Sequence, residues 1–276
     1  LPMKMPLGLG SKSFVCQVDS AGNAEAPAEI EITLPASMIA IPFSSSEAEV
    51  ISENADGTRT WRYEANSAGG ILYAGDYICE QIEAGGMTIE FYYGRKHQAV
   101  MEEAGAVDAV KEVVDYCTEH YGTLSFGTGE TLKLIQSRVA GGGYAVGGAS
   151  LLDEADFTIA NLEDTSKGAV PGETFIHELV HQWWGLGNMF DTVDSTNPWS
   201  AEGLTVYTTY RIVKELYGED YAREHYVDQW QQAVDDCFAC LQRVSRRMYA
   251  GFTTQEQTQL HSYYMRALDN LRLEPQ

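Results

Sequence analysis

The stretch that decides the fold prediction is Glu173-Thr-Phe-Ile-His-Glu-Leu-Val-His-Gln-Trp-Trp-Gly185. It places His177 and His181 four positions apart, with Glu178 directly after the first histidine. Residues at this spacing lie on the same face of an α-helix, so both imidazoles can reach one metal ion. The acid between them can point at a water molecule on that ion. The pattern therefore predicts a buried helix that carries two zinc ligands and a general base.

Two simpler explanations of this pattern are chance and a pair of histidines packed in a core. With the histidine and glutamate content of this chain, a chance match is expected in about one such sequence per hundred. The chain has six histidines in all, and two of them fall at the metal-binding spacing. This favours a metal site over core packing.

A third metal ligand is expected downstream of these two histidines. A catalytic zinc ion takes three protein ligands and keeps one position open. The candidate is Glu202, which lies in the segment Trp199-Ser-Ala-Glu-Gly-Leu-Thr-Val-Tyr207, where Ser200 could cap the start of a second helix. Asp191 and Asp194 lie in the predicted loop between the two helices, and we expect them to be solvated or turn-forming.

Together these segments resemble the aminopeptidase N family of zinc metallopeptidases, whose thermolysin-like domain reads H-E-x-x-H-x-W-x-G-N and then W-x-N-E-G. The gap between the second histidine and the glutamate is two residues longer here, and the added pair falls in the W-W-G-L-G-N segment at 183–188. The resemblance implies one zinc ion held by the two histidines and the glutamate. The matching residues are His177, Glu178, His181, Gln182, Trp183, Gly187, Asn188, Trp199, Glu202 and Gly203.

A catalytic tyrosine is also implied by this resemblance. The family places it well downstream of the glutamate, in a V-Y-x-K-G context, where it hydrogen-bonds the oxyanion of the tetrahedral intermediate. The corresponding segment here reads S-Y-Y-M-R-A at 262–267. Tyr264 aligns best, with Arg266 in the lysine position, and Tyr263 is the alternative. Packing of an aromatic side chain on a helix is the simpler interpretation.

The glycine-rich run Gly141-Gly-Gly-Tyr-Ala-Val-Gly-Gly148 lacks the Lys-Ser/Thr of a phosphate-binding loop. It favours a close backbone approach to a ligand or another strand. The family has G-A-M-E-N in this region, and its glutamate holds the free amino group of the substrate. Alignment puts Ala145 at that position, so recognition of a free N-terminus is in doubt. We expect this strand edge to bind an extended peptide through its backbone, at Gly142, Gly143, Tyr144 and Ala145.

The chain before His97 has the pattern of β-structure. Residues 28–34 alternate between apolar and polar side chains, and 59–63 do so again after a turn at 54–57. The pair Gly85-Gly86 supplies a turn before the apolar run at 87–93. These runs predict a small antiparallel β domain over residues 1–97, which resembles the last part of the family's N-terminal domain.

Beyond this point the apolar residues follow a helical period. They do so over 99–121, up to a helix stop at Gly122, and a strand follows at 131–139. From Gly172 onward the chain reads as mainly helical. The fold prediction is therefore α+β, with a small antiparallel β domain followed at 98–276 by a mainly helical domain. The resemblance implies that this second domain is a truncated thermolysin-like catalytic domain.

The charge of the chain restricts its partners. The net charge is −22, so the field of the protein repels phosphate, which argues against nucleic acid and anionic lipid surfaces. The five cysteines are scattered, and the Cys237-x-x-Cys240 pair has no second pair to complete a zinc knuckle. No run of eighteen apolar residues is present that could cross a membrane.

The residues and the resemblance together predict a zinc-dependent peptide hydrolase of the aminopeptidase type. One alternative is an endopeptidase, because the amine-anchoring glutamate is missing. Another is a peptide-binding or sensing domain that keeps the metal with little catalysis, and a third is a structural zinc domain. We expect the chain to be an extracytoplasmic part of a larger, membrane-anchored parent, although free cysteines favour the cytoplasm.

Overall fold

Twelve strands run through the parts of the chain that the computed structural model describes, which are residues 3–4, 14–18, 28–44, 46–65, 70–124, 131–137, 143–157, 172–187 and 199–272. Most of them lie before residue 98, as the alternating sequence pattern predicts. Their bounds are β1 Met3–Lys4, β2 Phe14–Val18, β3 Ala28–Pro35, β4 Ile39–Pro42, β5 Glu49–Glu53, β6 Thr58–Ala65, β7 Gly70–Gly75, β8 Tyr77–Ala84, β9 Met87–Gly94, β10 Thr131–Ser137, β11 Gly143–Val146 and β12 Ala149–Asp153.

Two of the described α-helices lie between β9 and β10, and the others come after residue 172. Short 3₁₀ turns occur at Arg95–His97 and Glu154–Asp156, and single π-helical turns occur at Trp199–Gly203 and Arg223–Val227. The helices are α1 Gln98–Ala104, α2 Ala106–Tyr121, α3 Glu173–Val180, α4 Leu204–Tyr217, α5 Glu219–Ala222, α6 Asp228–Met248 and α7 Thr254–Arg272. Among the described residues, no helix is both long and apolar enough to cross a membrane.

The described strands form three sheets, of which two are entirely antiparallel, in the orders β1-β2-β7-β4 and β3-β6-β5. The alternating run at 28–34 forms β3, and it pairs with β6, so Ile32 lies opposite Trp61. The predicted turn at 54–57 is present, and Gly57 has a φ of 81°, which favours glycine. These sheets match the antiparallel β-structure predicted for the first part of the chain.

The third sheet is mixed and joins strands from both sides of residue 97. Its order is β11-β12-β10-β9-β8. β8 and β9 are antiparallel across the Gly85-Gly86 turn, but β9 pairs with β10 in parallel. A parallel pair needs a crossover connection, which α1 and α2 supply. The sequence pattern placed 87–93 in a purely antiparallel domain because it reports each strand's alternation and not its partner.

Two apolar clusters hold these sheets together. One contains Leu34, Tyr63 and Leu72 from the two antiparallel sheets. The other brings Ile41 and Phe43 against strands of the mixed sheet, and includes Tyr73, Tyr77, Tyr92, Ile135, Ala149 and Leu151. The central strand β10 is buried along almost its whole length, so the mixed sheet forms a rigid base for the segments that follow it.

The chain divides into two compact units, Leu1–Ala222 and Arg223–Gln276. The first contains all twelve described strands and helices α1–α5. The second contains α6 and α7, and no side chain of α6 is buried. The boundary predicted at residue 97 lies within the first unit and stays a prediction. The architecture is α+β, as the sequence predicts.

Candidate metal centre

Helix α3 carries the decisive motif and is fixed by its apolar face. Phe175, Ile176, Leu179 and Val180 are all buried, and the ring of Phe175 meets that of Phe91 edge-on at 5.4 Å. This packing ties the helix to the centre of the mixed sheet. The opposite face carries the two histidines, which are only partly buried and so remain available to a ligand.

The three predicted ligands lie together in the structure. The Nε2 atom of His177 is 3.3 Å from Oε2 of Glu202, and that of His181 is 3.6 Å from the same oxygen. The two imidazole rings are perpendicular, with centroids 4.6 Å apart. Across the described residues, this is the group of histidine, cysteine and acidic side chains whose ligand atoms could hold a metal ion.

These separations fit a zinc ion. With metal–ligand bonds of about 2.0–2.1 Å in tetrahedral geometry, neighbouring ligand atoms lie about 3.4 Å apart. The observed 3.3 Å and 3.6 Å agree with this distance. Burial, and then the neighbouring His181, lower the pKa of His177. A neutral imidazole is the form that binds metal, so the electrostatics also fit.

The turn after α3 brings Glu202 to the histidines. Gly185 has a φ of 93°, and an added Cβ there would lie 2.9 Å from Cβ of Ala201. Only a glycine therefore allows this turn to pack against the π-helical turn that carries Glu202. Single π-helical turns are frequent at functional sites. Asp191 and Asp194, the acids that sequence reasoning set aside, lie outside the described residues.

A second layer of contacts orients His181. Its Nδ1 lies 3.2 Å from the carbonyl oxygen of Trp184 and 3.3 Å from Oγ1 of Thr205. A carbonyl oxygen only accepts, so Nδ1 carries the proton and Nε2 presents its lone pair toward Glu202. Sequence reasoning missed both contacts. Thr205 lies three residues after Glu202 and so could have been found by helical spacing, whereas a backbone carbonyl leaves no sequence signal.

Glu178 is not one of the three ligands, yet it is buried, with 7% of its surface exposed. Burial, and then the nearby Glu202 carboxylate, raise the pKa of Glu178 to about 7. Burial of an ionised carboxylate costs free energy, which disfavours a purely structural role for this side chain. A carboxyl group with a pKa near neutrality, beside a metal centre, has the properties of a general base.

The glycine-rich run forms the strand next to this acid. Gly143, Tyr144 and Ala145 lie in β11, the edge strand of the mixed sheet, while Gly142 lies outside the described residues. A Cβ added to Gly143 would overlap with Cγ of Glu178 and would lie 2.7 Å from its Oε1. The backbone of β11 therefore contacts the acid directly, which is the close approach that the glycine predicted.

The predicted catalytic tyrosine lies in the second unit. Tyr264 is on α7 and is 55% exposed. Its neighbour Tyr263 accepts a hydrogen bond from Nε2 of Gln259 at 2.9 Å and lies 5.5 Å from the guanidinium of Arg266. The structure assigns neither residue to the metal centre, so the choice between them stays a prediction.

The ligand atoms of two histidines and a glutamate converge, and a buried acid lies on the helix that carries the histidines, so these residues define a candidate mononuclear metal site. No protein-family model matches the chain. The curated leucine aminopeptidase 2 of Emericella nidulans is 33% identical over 79 residues, which are 29% of this chain and 12% of that protein. The predicted resemblance to aminopeptidase N-like zinc metallopeptidases is confirmed.

Solved structures of the same kind are also similar to the chain. The M1 zinc metallopeptidase of Deinococcus radiodurans superposes with a TM-score of 0.48 and 17% identity. A two-domain M1 zinc metallopeptidase bound to L-arginine superposes with a TM-score of 0.47 and 15% identity. In both comparisons 79% of this chain is covered, and the chain spans about half the length of the solved structure.

Proposed function

We propose that this chain is a zinc-dependent peptide hydrolase of the aminopeptidase type, whose catalytic part resembles the thermolysin-like domain. The observation that carries the proposal is the convergence of His177, His181 and Glu202, with ligand atoms within 4.8 Å of one another, beside the buried Glu178. A structural zinc site does not need a buried acid beside its ligands. A catalytic site needs one as its base.

The proposed chemistry divides between the metal and the protein. The chemistry that zinc supplies when bound is Lewis acidity toward water and toward a carbonyl oxygen. Glu178 accepts a proton from the attacking water and later donates it to the leaving amine. Its raised pKa suits both steps, because the same group must hold and release a proton near neutral pH. Tyr264 is the proposed donor to the oxyanion, on the strength of the sequence resemblance.

The edge strand β11 is the proposed binding surface for the peptide. Within the described residues, β11 pairs with β12 alone, so its other edge is free to pair with an extended substrate. The side chain of Tyr144 is 60% exposed. The first unit contains 33 acidic and 12 basic residues, and a field of this sign attracts cationic peptides and amines.

The test of the proposal is hydrolysis of a peptide library by the zinc-loaded protein and by Glu178→Gln. The substitution keeps the shape of the side chain and leaves all three ligands in place. We expect hydrolysis by the wild type and a loss of roughly a thousandfold or more in kcat for the variant, as for other essential acid–base groups. Hydrolysis that survives in Glu178→Gln would contradict the assignment of the base.

Paired substrates then decide the end specificity. Each peptide is offered with a free amino group and with an N-acetyl group. Cleavage of the free-amino form alone indicates an aminopeptidase whose amine anchor lies outside β11. Cleavage of the acetylated form indicates an endopeptidase, which Ala145 in place of the family's glutamate would explain. Peptide binding by a zinc-loaded protein that cleaves neither form would indicate a binding domain.

A further inference from the structure

Gln182, the residue directly after the second histidine, is fully buried, with 0% of its surface exposed. Its side chain Oε1 accepts a hydrogen bond from the backbone N–H of Gly148 at 3.1 Å. Its Nε2 lies 3.0 Å from the carbonyl oxygen of Val146, 3.3 Å from that of Ala149 and 3.1 Å from Oγ of Ser150. All four partners belong to the β11–β12 hairpin, so one amide group attaches the hairpin to the segment that follows α3.

A second attachment lies one helical turn earlier. Oγ of Ser150 donates a hydrogen bond of 2.8 Å to the backbone carbonyl of Glu178. The hairpin is thus held at two levels of the metal-binding segment, at Glu178 and at Gln182. Buried polar groups whose hydrogen bonds are all formed make a rigid connection. If one of these bonds breaks, its donor and acceptor cannot bond to water instead, because water does not reach them.

This attachment determines how closely β11 approaches the proposed base. Gly143 lies at the start of β11, and its backbone contacts the side chain of Glu178 so closely that a Cβ would overlap with Cγ. The hairpin therefore limits the positions that the side chain of Glu178 can adopt. A shift of the hairpin away from α3 would free the carboxylate to leave its position beside the ligands.

We propose that Gln182 is a positioning residue, which fixes the β11–β12 hairpin against α3 and thereby holds Glu178 in place through Gly143. The inference rests on the proposed function for its kinetic consequence, but not for its structural one. A glutamine is suited to this position because it both donates and accepts. An apolar residue of the same size would remove the side-chain partner of the Gly148 N–H and of the hairpin's carbonyl groups in a buried position.

The experiment compares Gln182→Met with Gly143→Ala in the zinc-loaded, full chain. Gln182→Met removes all the amide hydrogen bonds at nearly constant volume. Gly143→Ala leaves those bonds intact and displaces Glu178 directly. The control is Tyr93→Phe, which removes a hydrogen bond of 3.0 Å from the hydroxyl of Tyr93 to Oε1 of Glu80, between β9 and β8 and so separated from the hairpin by β10. Zinc content, kcat, KM and amide hydrogen exchange are measured for each.

We expect Gln182→Met to keep its zinc, to lose roughly 10- to 100-fold in kcat with a smaller change in KM, and to exchange the amide hydrogens of 143–150 faster. Gly143→Ala should lose kcat in the same way with unchanged exchange. Tyr93→Phe should change neither kcat nor the exchange of these amide hydrogens. Unchanged exchange at 143–150 in Gln182→Met would overturn the proposal. So would a loss of zinc as large as the loss of kcat, because Gln182 would then support α3 itself.

The outcomes separate this inference from the proposed function. If the wild type hydrolyses no peptide, the proposed function fails, and hydrogen exchange alone decides whether Gln182 holds the hairpin. If the wild type hydrolyses peptides and Gln182→Met matches it in kcat and in exchange, the proposed function stands and the positioning role is wrong.

Discussion

Helices α2 and α6 show how differently the two units of the molecule use apolar residues. In α2, Val110, Val113 and Val114 are fully buried against the rest of the first unit. In α6, Phe238 and Leu241 are 60% and 57% exposed, and the helix buries no side chain. The first unit thus encloses its own core, whereas the second presents an apolar face to solvent.

The two units also differ in charge. The first contains 33 acidic and 12 basic residues, and the second contains seven and six. The acidic field therefore belongs to the unit that holds the candidate metal centre. The candidate ligands and the buried core lie in the same unit, so the geometry of the site depends on packing within the first unit.

The largest effect that we expect is on the free energy of unfolding, and it tests whether a buried core is confined to the first unit. Leu134 in β10 is 1% exposed and Leu241 in α6 is 57% exposed. We expect Leu134→Ala to lower the free energy of unfolding by about 2–5 kcal/mol, because it leaves a cavity. Leu241→Ala should change it by less than about 0.5 kcal/mol. Urea denaturation measures both, and equal losses would mean that the face of α6 is covered.

A smaller effect is expected from the tyrosines of the second unit. If Tyr264 donates to the oxyanion, Tyr264→Phe should lower kcat by roughly 100- to 1,000-fold without loss of zinc. Tyr263→Phe is the matched control, since both hydroxyl groups are on α7 and both rings are about half exposed. Steady-state kinetics with a peptide substrate tests the pair. A loss of kcat in Tyr263→Phe alone would transfer the role to that residue.

The smallest effect concerns the second layer around His181. Thr205→Val keeps the volume of the side chain and removes the contact of its Oγ1 with Nδ1. The carbonyl of Trp184 still accepts from the imidazole, so zinc should bind no more than about tenfold more weakly. Chelator competition measures the affinity. Thr118→Val is the control, because Oγ1 of Thr118 is buried and has no hydrogen-bond partner within the described residues.

The grouping of the candidate ligands His177, His181 and Glu202 could be predicted from the sequence almost residue by residue. His177, Glu178 and His181 are close in sequence, and helical geometry alone puts the two histidines on one face. Glu202 was predicted as the downstream acid at the start of a second helix, and the resemblance supported it as a ligand. The separation of its carboxylate from the histidines, however, depends on the contact of Gly185 with Ala201, which no local pattern reports.

Other features lie beyond sequence reasoning for identifiable physical reasons. The parallel pairing of β9 with β10 joins residues about forty positions apart, and alternation within each strand does not reveal its partner. The side-chain bonds of Gln182 reach a hairpin more than thirty positions earlier in the chain. The sequence marked Gln182 only as part of a motif and gave no indication of what it holds.

The measurement that tests the central claim most directly is the zinc content of the purified wild type, Glu178→Gln and Glu202→Gln after dialysis against a mild chelator. Elemental analysis gives the number of zinc ions per chain. We predict one zinc ion in the wild type and in Glu178→Gln, and little or none in Glu202→Gln, because only the last variant removes a ligand. A wild type without zinc, or a Glu202→Gln variant that holds zinc as tightly as the wild type, would contradict the assigned centre.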